Sequence, residues 1–335
     1  MRAAIRPRLV NSDPFDDPGL FIHFVFAKRA ILFDLGDLRA LSPKDLLKVT
    51  HVFISHTHVD HFIGFDHLLR ICLGRDKIIH LYGPAGLIGN VQGKLAGYSW
   101  NLLDNYENEF GFRVTEVHED HLASCSFLAG NTFRPTSLEV NRGFQGILLE
   151  EPDFTIETAI LDHGLPCLGF ALKERFHVNV LKARLEEYGM EVGPWLRDFK
   201  QALYATPDWS EKICVPMPEG EVREFSMEEL ANRITLITPG QKIVYITDVA
   251  GHASNQEKIL ALAKDADQLF IEASFADEDG DLALARNHLT AGLAGRLAKK
   301  ANAGQMINFH FSPRYQEEPE IVQAQALKAF EGPED

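Results

Sequence analysis

The residues best suited to chemistry stand close together near position 60, in the segment His-Thr-His-Val-Asp-His. Four of its six residues are imidazoles or carboxylates: His56, His58, Asp60 and His61. Imidazole nitrogen suits zinc, and carboxylate oxygen completes a mixed nitrogen and oxygen site. An apolar run precedes the segment and helical spacing follows it, which predicts one ligand pair at a strand end and the other at a helix start. Two separated pairs can serve two metal ions that share a bridging hydroxide.

Other residues of the same chemical kinds follow further apolar runs. They are Asp162 and His163 after residues 155–161, Asp248 after 242–247, Glu272 within 268–273 and His310 within 306–311. In layered α/β proteins, functional sites collect where strand ends meet loops. We therefore expect these strand ends to share one sheet edge and to form a single site.

The elements that must position these residues change character along the chain. The first half predicts strands, at residues 31–35, 51–55, 112–117, 132–140 and 147–161. The second half predicts helices, at 181–188, 195–204, 254–263, 288–301 and 320–330, between the strands 242–247, 268–273 and 306–311. Ser254 and Glu257 have the spacing of a capping box at the third helix. Alternating strands and helices predict an α/β sheet covered on both faces.

Composition narrows the class of protein. The chain has 335 residues, enough for one large domain or two smaller ones. No run of 18 apolar residues occurs, and residues 1–17 are polar, so we expect neither a membrane span nor a signal peptide. The four cysteines form no C-x-x-C pair, and we expect all four to be buried and reduced in the cytoplasm. The net charge of −15 does not steer the protein towards nucleic acid.

The motif H-x-H-x-D-H resembles the signature loop of the metallo-β-lactamase superfamily, and the resemblance extends from residue 31 to about 315. It implies an α/β protein, a four-layer αββα sandwich formed by a single domain over residues 1–335. It also implies two Zn²⁺ ions, with Mn²⁺ or Fe as alternatives, bridged by Asp248. The first ion would be bound by His56, His58 and His163. The second would be bound by Asp60, His61 and His310. Asp34 matches an early aspartate of the family that supports the site.

Further motifs resemble one branch, ribonuclease Z, the endonuclease that processes the 3′ ends of tRNA precursors. Residues 310–315 (HFSPRY) resemble its C-terminal motif, 271–275 (IEASF) its His-Glu-Ala-Thr segment, 288–290 (HLT) a short histidine motif, and 82–87 (YGPAGL) the segment after the metal loop. Ile271 and Ser274 replace the histidine and threonine of the second motif. Gly193 and Pro194, between two predicted helices, resemble the protruding arm that grips tRNA, which predicts a helical insertion at residues 174–224.

The resemblance implies hydrolysis of an RNA phosphodiester. Asp60 would accept a hydrogen bond from the nucleophile, and His288, oriented by Glu272, would protonate the leaving 3′ oxygen. Arg314 would either bind phosphate or brace the loop that carries His310.

The implied partners and contacts follow the same branch. Ser312, Gly193 and Pro194 are further candidate substrate contacts. The partners implied are a tRNA precursor and a second copy of the chain in a homodimer, with no DNA and no membrane.

Two alternatives stay open at this point. The first is a metal-dependent hydrolase of a small phosphodiester, lactone or thioester. The second is a binding module without activity, which is disfavoured because every expected ligand position is filled. Residues 173–224 contain eight Lys and Arg against ten Asp and Glu, a net charge of −2, whereas an RNA clamp should be basic. The RNA and small-molecule substrates are therefore both retained.

Overall fold

The computed structural model describes residues 5–25, 27–103, 107–206 and 208–333. The chain forms two compact units. The larger unit comprises Met1–Leu148, Glu157–Ala171 and Ile243–Asp335, and the smaller comprises Leu149–Ile156 and Leu172–Lys242.

Most strands of the described residues belong to two sheets. The first sheet contains, side by side in chain order, β1 (Ile5–Leu9), β2 (Leu20–Phe24), β3 (Arg29–Phe33), β4 (Val49–Phe53), β5 (Lys77–Pro84), β6 (Phe110–Val117), β7 (Leu122–Leu128) and β8 (Glu139–Asn141). The remaining strands are β9 (Ile147–Glu150), β10 (Phe154–Asp162), β11 (Pro166–Glu174), β12 (Phe176–Val180), β13 (Lys212–Pro216), β14 (Val222–Ser226), β15 (Thr235–Pro239), β16 (Lys242–Ile246), β17 (Gln268–Glu272) and β18 (Met306–Phe309). The second sheet has the order β18-β17-β16-β11-β10-β9.

Helices of the larger unit cover the outer faces of the two sheets, and the smaller unit has further helices of its own. In chain order they are α1 (Pro43–Leu46), α2 (Val59–Phe62), α3 (Phe65–Cys72), α4 (Leu87–Ala96), α5 (Lys182–Glu187), α6 (Trp195–Ala205), α7 (Met227–Ile234), α8 (Ala253–Ala263), α9 (Gly280–Ala285), α10 (Ala291–Lys300) and α11 (Pro319–Glu331). One apolar core joins α3 and α4 to the first sheet, and a second joins α8, α10 and α11 to the second sheet.

Aromatic side chains join the inner faces of the two sheets. The ring of Phe33 lies 5.2 Å from that of Phe170 and 5.8 Å from that of Tyr245, and the ring of Phe53 lies 5.8 Å from that of Phe170. Phe33 and Phe53 belong to the first sheet, and the other two rings belong to the second. The layers are therefore helix, sheet, sheet and helix, which is the predicted αββα sandwich.

The loop after β3 packs tightly against the loop that follows β4. Leu35 donates its N–H to the carbonyl of His61, and Gly64 donates its N–H to the carbonyl of Leu35. A Cβ on Gly64 would lie 2.2 Å from the carbonyl oxygen of Gly36, and one on Gly36 would lie 2.8 Å from the carbonyl oxygen of Asp60. The bare glycine backbone lets these loops approach each other.

The smaller unit has a core of its own. Its buried side chains include Leu185, Trp195, Phe199, Leu203 and Leu230. Strand β12 pairs with β15, and β13 pairs with β14. The segment predicted as a helical insertion at 174–224 thus contains strands as well as helices, and the compact unit to which it belongs extends to Lys242.

Several predicted elements differ from the structure. Residues 132–140 are not one strand, because Thr132 and Phe133 have φ values of 48° and 54°. After an isolated bridge between Pro135 and Phe127, regular pairing resumes in β8. The predicted strand 147–161 is interrupted by a turn in which Glu151 donates its N–H to the carbonyl of Phe154. The capping box of Ser254 and Glu257 is wrong, because the ring of His252 accepts the hydrogen bond at the start of α8.

Two expectations about placement also need correction. The ligand-bearing strand ends do not share one sheet, since β4 lies in the first sheet and β10, β16 and β18 lie in the second. Of the cysteines, Cys214 is exposed on strand β13 of the smaller unit, whereas the other three are buried. Within the described ranges, every helix is too short or too polar to cross a membrane.

Candidate metal centre

Four chain segments bring their functional residues to one place in the larger unit. The His-rich segment follows β4, with His58 at the N-terminus of the short helix α2 and with Asp60 and His61 inside that helix. His163, Asp248 and His310 each lie in the loop just beyond β10, β16 and β18. The site therefore lies where strand ends of two facing sheets meet, which explains how residues far apart in the chain reach one another.

The first ligand cluster consists of His56, His58, His163 and Asp248, whose candidate ligand atoms all lie within 4.8 Å of one another. Asp248 Oδ2 lies 3.7 Å from His56 Nε2 and 3.6 Å from His163 Nε2. The ring of His58 is 4.4 Å from that of His56 and 5.3 Å from that of His163. Three imidazoles thus surround one oxygen of one carboxylate.

The second ligand cluster consists of Asp60, His61, Asp248 and His310. The other oxygen of Asp248, Oδ1, lies 3.4 Å from His61 Nε2 and 3.1 Å from His310 Nδ1. Asp60 Oδ2 lies 3.4 Å from His61 Nε2 and 3.2 Å from His310 Nε2. Each oxygen of Asp248 therefore faces a different cluster, which is the arrangement of a bridging carboxylate.

Two buried nitrogens test whether metal ions fit this arrangement. The Nε2 atoms of His56 and His61 are buried and have no hydrogen-bond partner in the part of the chain that the structure describes. An unsatisfied buried polar atom costs about 1–3 kcal/mol. A metal ion in each cluster would take up one of these lone pairs, so the residues present fit a pair of ions.

The charges of the site favour the ligand forms of His56, Asp248 and Asp60, whereas the carboxylates of Asp248 and Asp34 outweigh burial and raise the pKa of His61. Burial lowers the pKa of His56 to about 2, so its imidazole is neutral and can donate a lone pair. Burial alone would raise the pKa of Asp248, but the neighbouring imidazoles of His310 and His61 outweigh it and hold that pKa well below its ordinary value. Asp60 behaves in the same way, because its contacts with the rings of His310 and His61 outweigh burial and lower its pKa.

Hydrogen bonds behind the ligands set the direction of their rings. His163 donates Nδ1–H to the carbonyl of Asn287 at 2.8 Å. His61 donates Nδ1–H to Asp34 Oδ2 at 2.9 Å. Both rings consequently present Nε2 to the ligand clusters. Asp34, which was predicted to support the site, thus lies behind a ligand ring and accepts its hydrogen bond.

A third group lies beside the second cluster. Glu272 is fully buried, and its Oε2 lies 3.0 Å from His288 Nδ1 and 2.5 Å from Ser274 Oγ. Its Oε1 accepts the N–H of Val249 at 2.8 Å. Burial lowers the pKa of His288, but the charge of Glu272 more than offsets this and raises it to about 9. A protonated imidazole held by a carboxylate is an arrangement that can donate a proton.

The candidate substrate contacts have other partners. Arg314 Nη1 lies 3.2 Å from Asp279 Oδ1, and its guanidinium carbon lies 5.7 Å from the ring centroid of Tyr315. Ser312 donates its backbone N–H to the carbonyl of Ser274. Arg314 thus pairs with neighbouring side chains in the loop after His310, and the choice between bracing and phosphate binding stays a prediction.

Gly193 and Pro194 belong to the smaller unit, where Pro194 is the N-terminal cap of α6. Gly193 accepts the N–H of Leu196 through its carbonyl. The GP break therefore starts a helix in that unit.

Several residues that support the site are not among the site residues predicted from the sequence. Ser55 and Tyr245 donate hydrogen bonds to Asp34, and Ser274 contacts Glu272. Asn287 contributes only its backbone carbonyl, for which its side-chain type is irrelevant. Ser55 precedes the metal motif directly, and this adjacency is the one available clue.

Comparison with solved structures places this fold in a class. No protein-family model matches the chain. The structure of YhfI from Bacillus subtilis, a metallo-β-lactamase fold protein, has a TM-score of 0.55 at 17% identity and covers 98% of this chain and 94% of its own. The short form of human tRNase Z has a TM-score of 0.52 at 18% identity, with coverages of 92% and 93%. Sandwich and site together define a protein of the metallo-β-lactamase fold.

Sequence relatives identify the branch. A ribonuclease Z of Synechocystis sp. is 30% identical over 88% of this chain and 79% of its own length. A ribonuclease Z of Deinococcus radiodurans is 29% identical over 86% and 83%. A ribonuclease BN of Proteus mirabilis is 26% identical over 87% and 82%. The chain belongs to the ribonuclease Z family. The predicted fold, branch and hydrolytic enzyme class are thereby confirmed.

Proposed function

We propose that the protein is a metal-dependent endoribonuclease that hydrolyses tRNA precursors at their 3′ side with two bound Zn²⁺ ions. Mn²⁺ or Fe are the alternative metals. The observation that carries this proposal is the position of Asp248, with one oxygen facing each ligand cluster, beside the pair of Glu272 and His288. Family membership supplies the substrate, since the relatives are ribonucleases Z.

The metal ions would be held by His56, His58 and His163 in the first cluster, by Asp60, His61 and His310 in the second, and by Asp248 in both. When bound, two such ions supply a hydroxide near neutral pH and neutralise charge on the phosphate. Asp60 is about one-third exposed, so it can also accept a hydrogen bond from the attacking water.

The proton for the leaving group comes from the chain itself. His288 holds a proton at neutral pH because of Glu272, and its side chain is about 15% exposed, which leaves the ring reachable from solvent. Its Nδ1 is engaged with Glu272, so Nε2–H is the atom that donates to the leaving 3′ oxygen. The ring is neutral after this transfer, and Glu272 keeps its proton affinity high, so that the ring takes up a new proton from solvent.

The smaller unit is the proposed RNA contact. Val192, next to Gly193 and Pro194, is 67% exposed, as expected of a surface that meets a partner. In the same unit, the side chains of Arg184 and Arg197 are half or more exposed, but each forms an ion pair with an acidic residue close by in the chain. Phosphate contacts would require these exposed pairs to open, and such pairs stabilise a protein by only about 0–1 kcal/mol.

We also propose a homodimer in the cytoplasm. The dimer follows from the family resemblance, and its test is the molar mass of the purified protein in solution. The compartment is supported by the cysteines, because Cys72, Cys125, Cys167 and Cys214 are all free thiols.

A second candidate function is hydrolysis of a small phosphodiester, favoured by the net charge of −15 and by the acidic balance of residues 173–224. The deciding experiment compares cleavage of a tRNA precursor carrying a 3′ trailer with hydrolysis of bis(p-nitrophenyl) phosphate, using Asp248→Ala as the inactive control. We expect a discrete cut at the trailer, and RNA binding that weakens as salt rises. Val192→Asp should impair RNA cleavage and spare the small ester. Hydrolysis of the small ester by metal-loaded protein that neither binds nor cuts the RNA at low salt would establish the second candidate instead.

A further inference from the structure

We infer that the hydroxyl of Ser55 is a positioning group of the metal centre, which fixes His56 as the Nδ1-protonated tautomer and connects it to the carboxylate of Asp34. The inference rests on the proposed metal binding. It adds a relay by which one buried carboxylate directs a ligand of each cluster, His61 directly and His56 through Ser55.

Asp34 is surrounded by donors. Its Oδ1 accepts the backbone N–H of Ser55 at 2.6 Å. Its Oδ2 lies 2.8 Å from Ser55 Oγ, 2.9 Å from His61 Nδ1 and 3.0 Å from the hydroxyl of Tyr245. The carboxylate is fully buried, so these donors take the place of the water that would otherwise hydrogen-bond to it. An ionised carboxylate has no proton to give, and therefore it accepts from all three side chains.

The hydroxyl of Ser55 can donate only one hydrogen bond, and its contacts decide which acceptor receives it. Ser55 Oγ lies between Asp34 Oδ2, at 2.8 Å, and His56 Nδ1, at 3.1 Å. If the hydroxyl donated to His56, two oxygen lone pairs would face each other across the shorter contact. The hydroxyl consequently donates to Asp34 and presents its own lone pair to His56, which must be the donor.

The far side of the ring requires the same tautomer. A neutral imidazole carries one N–H. Placed on Nε2, that N–H would be buried without a hydrogen-bond acceptor among the described residues. Placed on Nδ1, it meets Ser55, and Nε2 keeps the lone pair that faces Asp248 and the first ligand cluster.

Cys167 is the competing partner. Its Sγ lies 3.8 Å from His56 Nδ1, and a thiol donating there would impose the opposite tautomer. The contact is longer and sulfur is the weaker hydrogen-bonding atom, so the Ser55 contact prevails. Replacing Ser55 and Cys167 separately therefore shows which of the two is the hydrogen-bond partner of His56 Nδ1.

The test is the ¹⁵N spectrum of histidine side chains in the metal-free protein, in which protonated and bare ring nitrogens have well-separated shifts. The His56 signals are assigned by their loss in His56→Gln. We expect a protonated Nδ1 and a bare Nε2 in the unsubstituted protein and in Cys167→Ala. In Ser55→Ala the Nδ1 signal should move towards the bare value, and Ser55→Thr, which keeps the hydroxyl, should restore it. A bare Nδ1 in the unsubstituted protein, or a Ser55→Ala spectrum without change, would overturn the inference.

A second readout is zinc affinity, measured by competition with a chromogenic chelator. Loss of a group that orients a ligand weakens metal binding by roughly 10- to 100-fold. We expect that loss for Ser55→Ala, with little change for Cys167→Ala or Ser55→Thr. Equal affinities for all three variants would contradict the positioning role. If Ser55→Ala does not fold, the spectrum of the unsubstituted protein still decides the tautomer. Failure of the unsubstituted protein to bind zinc, with the expected spectrum, would instead count against the proposed function.

Discussion

Glu272 touches both the proposed proton donor and the backbone next to the proposed bridging ligand. Its Oε2 lies 3.0 Å from His288 Nδ1, and its Oε1 accepts the N–H of Val249, the residue after Asp248. One buried carboxylate thus fixes the distance between the group that would protonate the leaving oxygen and the group that would bridge the metal ions. This coupling determines which substitutions can separate proton transfer from metal binding.

His288→Ala and Glu272→Gln should each lower kcat by roughly 10²-fold or more on RNA, the scale of a lost proton donor. Glutamine still offers an oxygen to Val249, but its amide N–H₂ cannot accept from His288. Metal content, measured by elemental analysis, should stay near that of the unsubstituted protein in both variants.

The leaving group provides the control for that prediction. A nitrophenolate departs without protonation, so both variants should lose far less activity on bis(p-nitrophenyl) phosphate than on RNA. If both substrates suffer equally, or if metal is lost as well, His288 and Glu272 support the metal centre instead of moving a proton.

Asp248→Ala should abolish activity and reduce bound metal, because its two oxygens face the two clusters separately. The matched control is Asp162→Asn, which changes another aspartate at a strand end, one residue before His163. Its Oδ1 accepts the N–H of Gly164 and its side chain is 58% exposed, so asparagine can take over that role. Elemental analysis and circular dichroism check both variants. Near-normal metal and activity in Asp248→Ala would remove it from the bridge.

Arg314 offers a test of bracing against phosphate binding. Because its guanidinium lies 3.2 Å from Asp279 and near the ring of Tyr315, we expect Arg314→Gln and Asp279→Asn to lower the melting temperature by similar small amounts. A half-exposed pair of this kind contributes about 0–1 kcal/mol. The KM for RNA should be unchanged in both. A raised KM in Arg314→Gln alone would show that the arginine binds phosphate.

Two glycine substitutions should have opposite effects on stability. In Gly64→Ala the new Cβ would lie 2.2 Å from the carbonyl oxygen of Gly36, so the loops must move apart at a cost of about 1–3 kcal/mol or more. In Gly89→Ala, inside α4, the new Cβ has no neighbour within 4 Å, and stability should rise by about 0.5–1 kcal/mol. Denaturant titration measures both. A Gly64→Ala protein as stable as its parent would show that these loops tolerate separation.

The order of elements and the ligand types could be predicted because each depends on local pattern. Strands β16, β17 and β18 were foreseen to within a residue or two, since short apolar runs between helices have few other interpretations. The structure of residues 132–140 could not be predicted, because the side chains of Thr132 and Phe133 do not indicate a left-handed backbone conformation.

The supporting contacts could not be predicted, because they depend on distances between segments far apart in the chain. Tyr245 meets Asp34 across the two sheets, 211 positions away, and His163 meets a backbone carbonyl 124 positions away. The division between the two sheets was also missed, since an apolar run does not reveal which strands it will pair with. Residue types therefore predict which side chains can bind metal or transfer a proton. The orientation of those side chains depends on contacts that form only in the folded protein.

Asp34 and His310 share an unfavourable backbone conformation, with φ values of 59° and 60°. Left-handed residues other than glycine carry strain of order 1–3 kcal/mol each. Glycine would relieve it, so an engineer who selects only for thermal endurance should recover glycine at these positions and lose the enzyme. A lineage that ceased to need the reaction would be free to make the same exchange. The residues at these two positions in a newly found relative are thus a simple indicator of whether it still works as a catalyst.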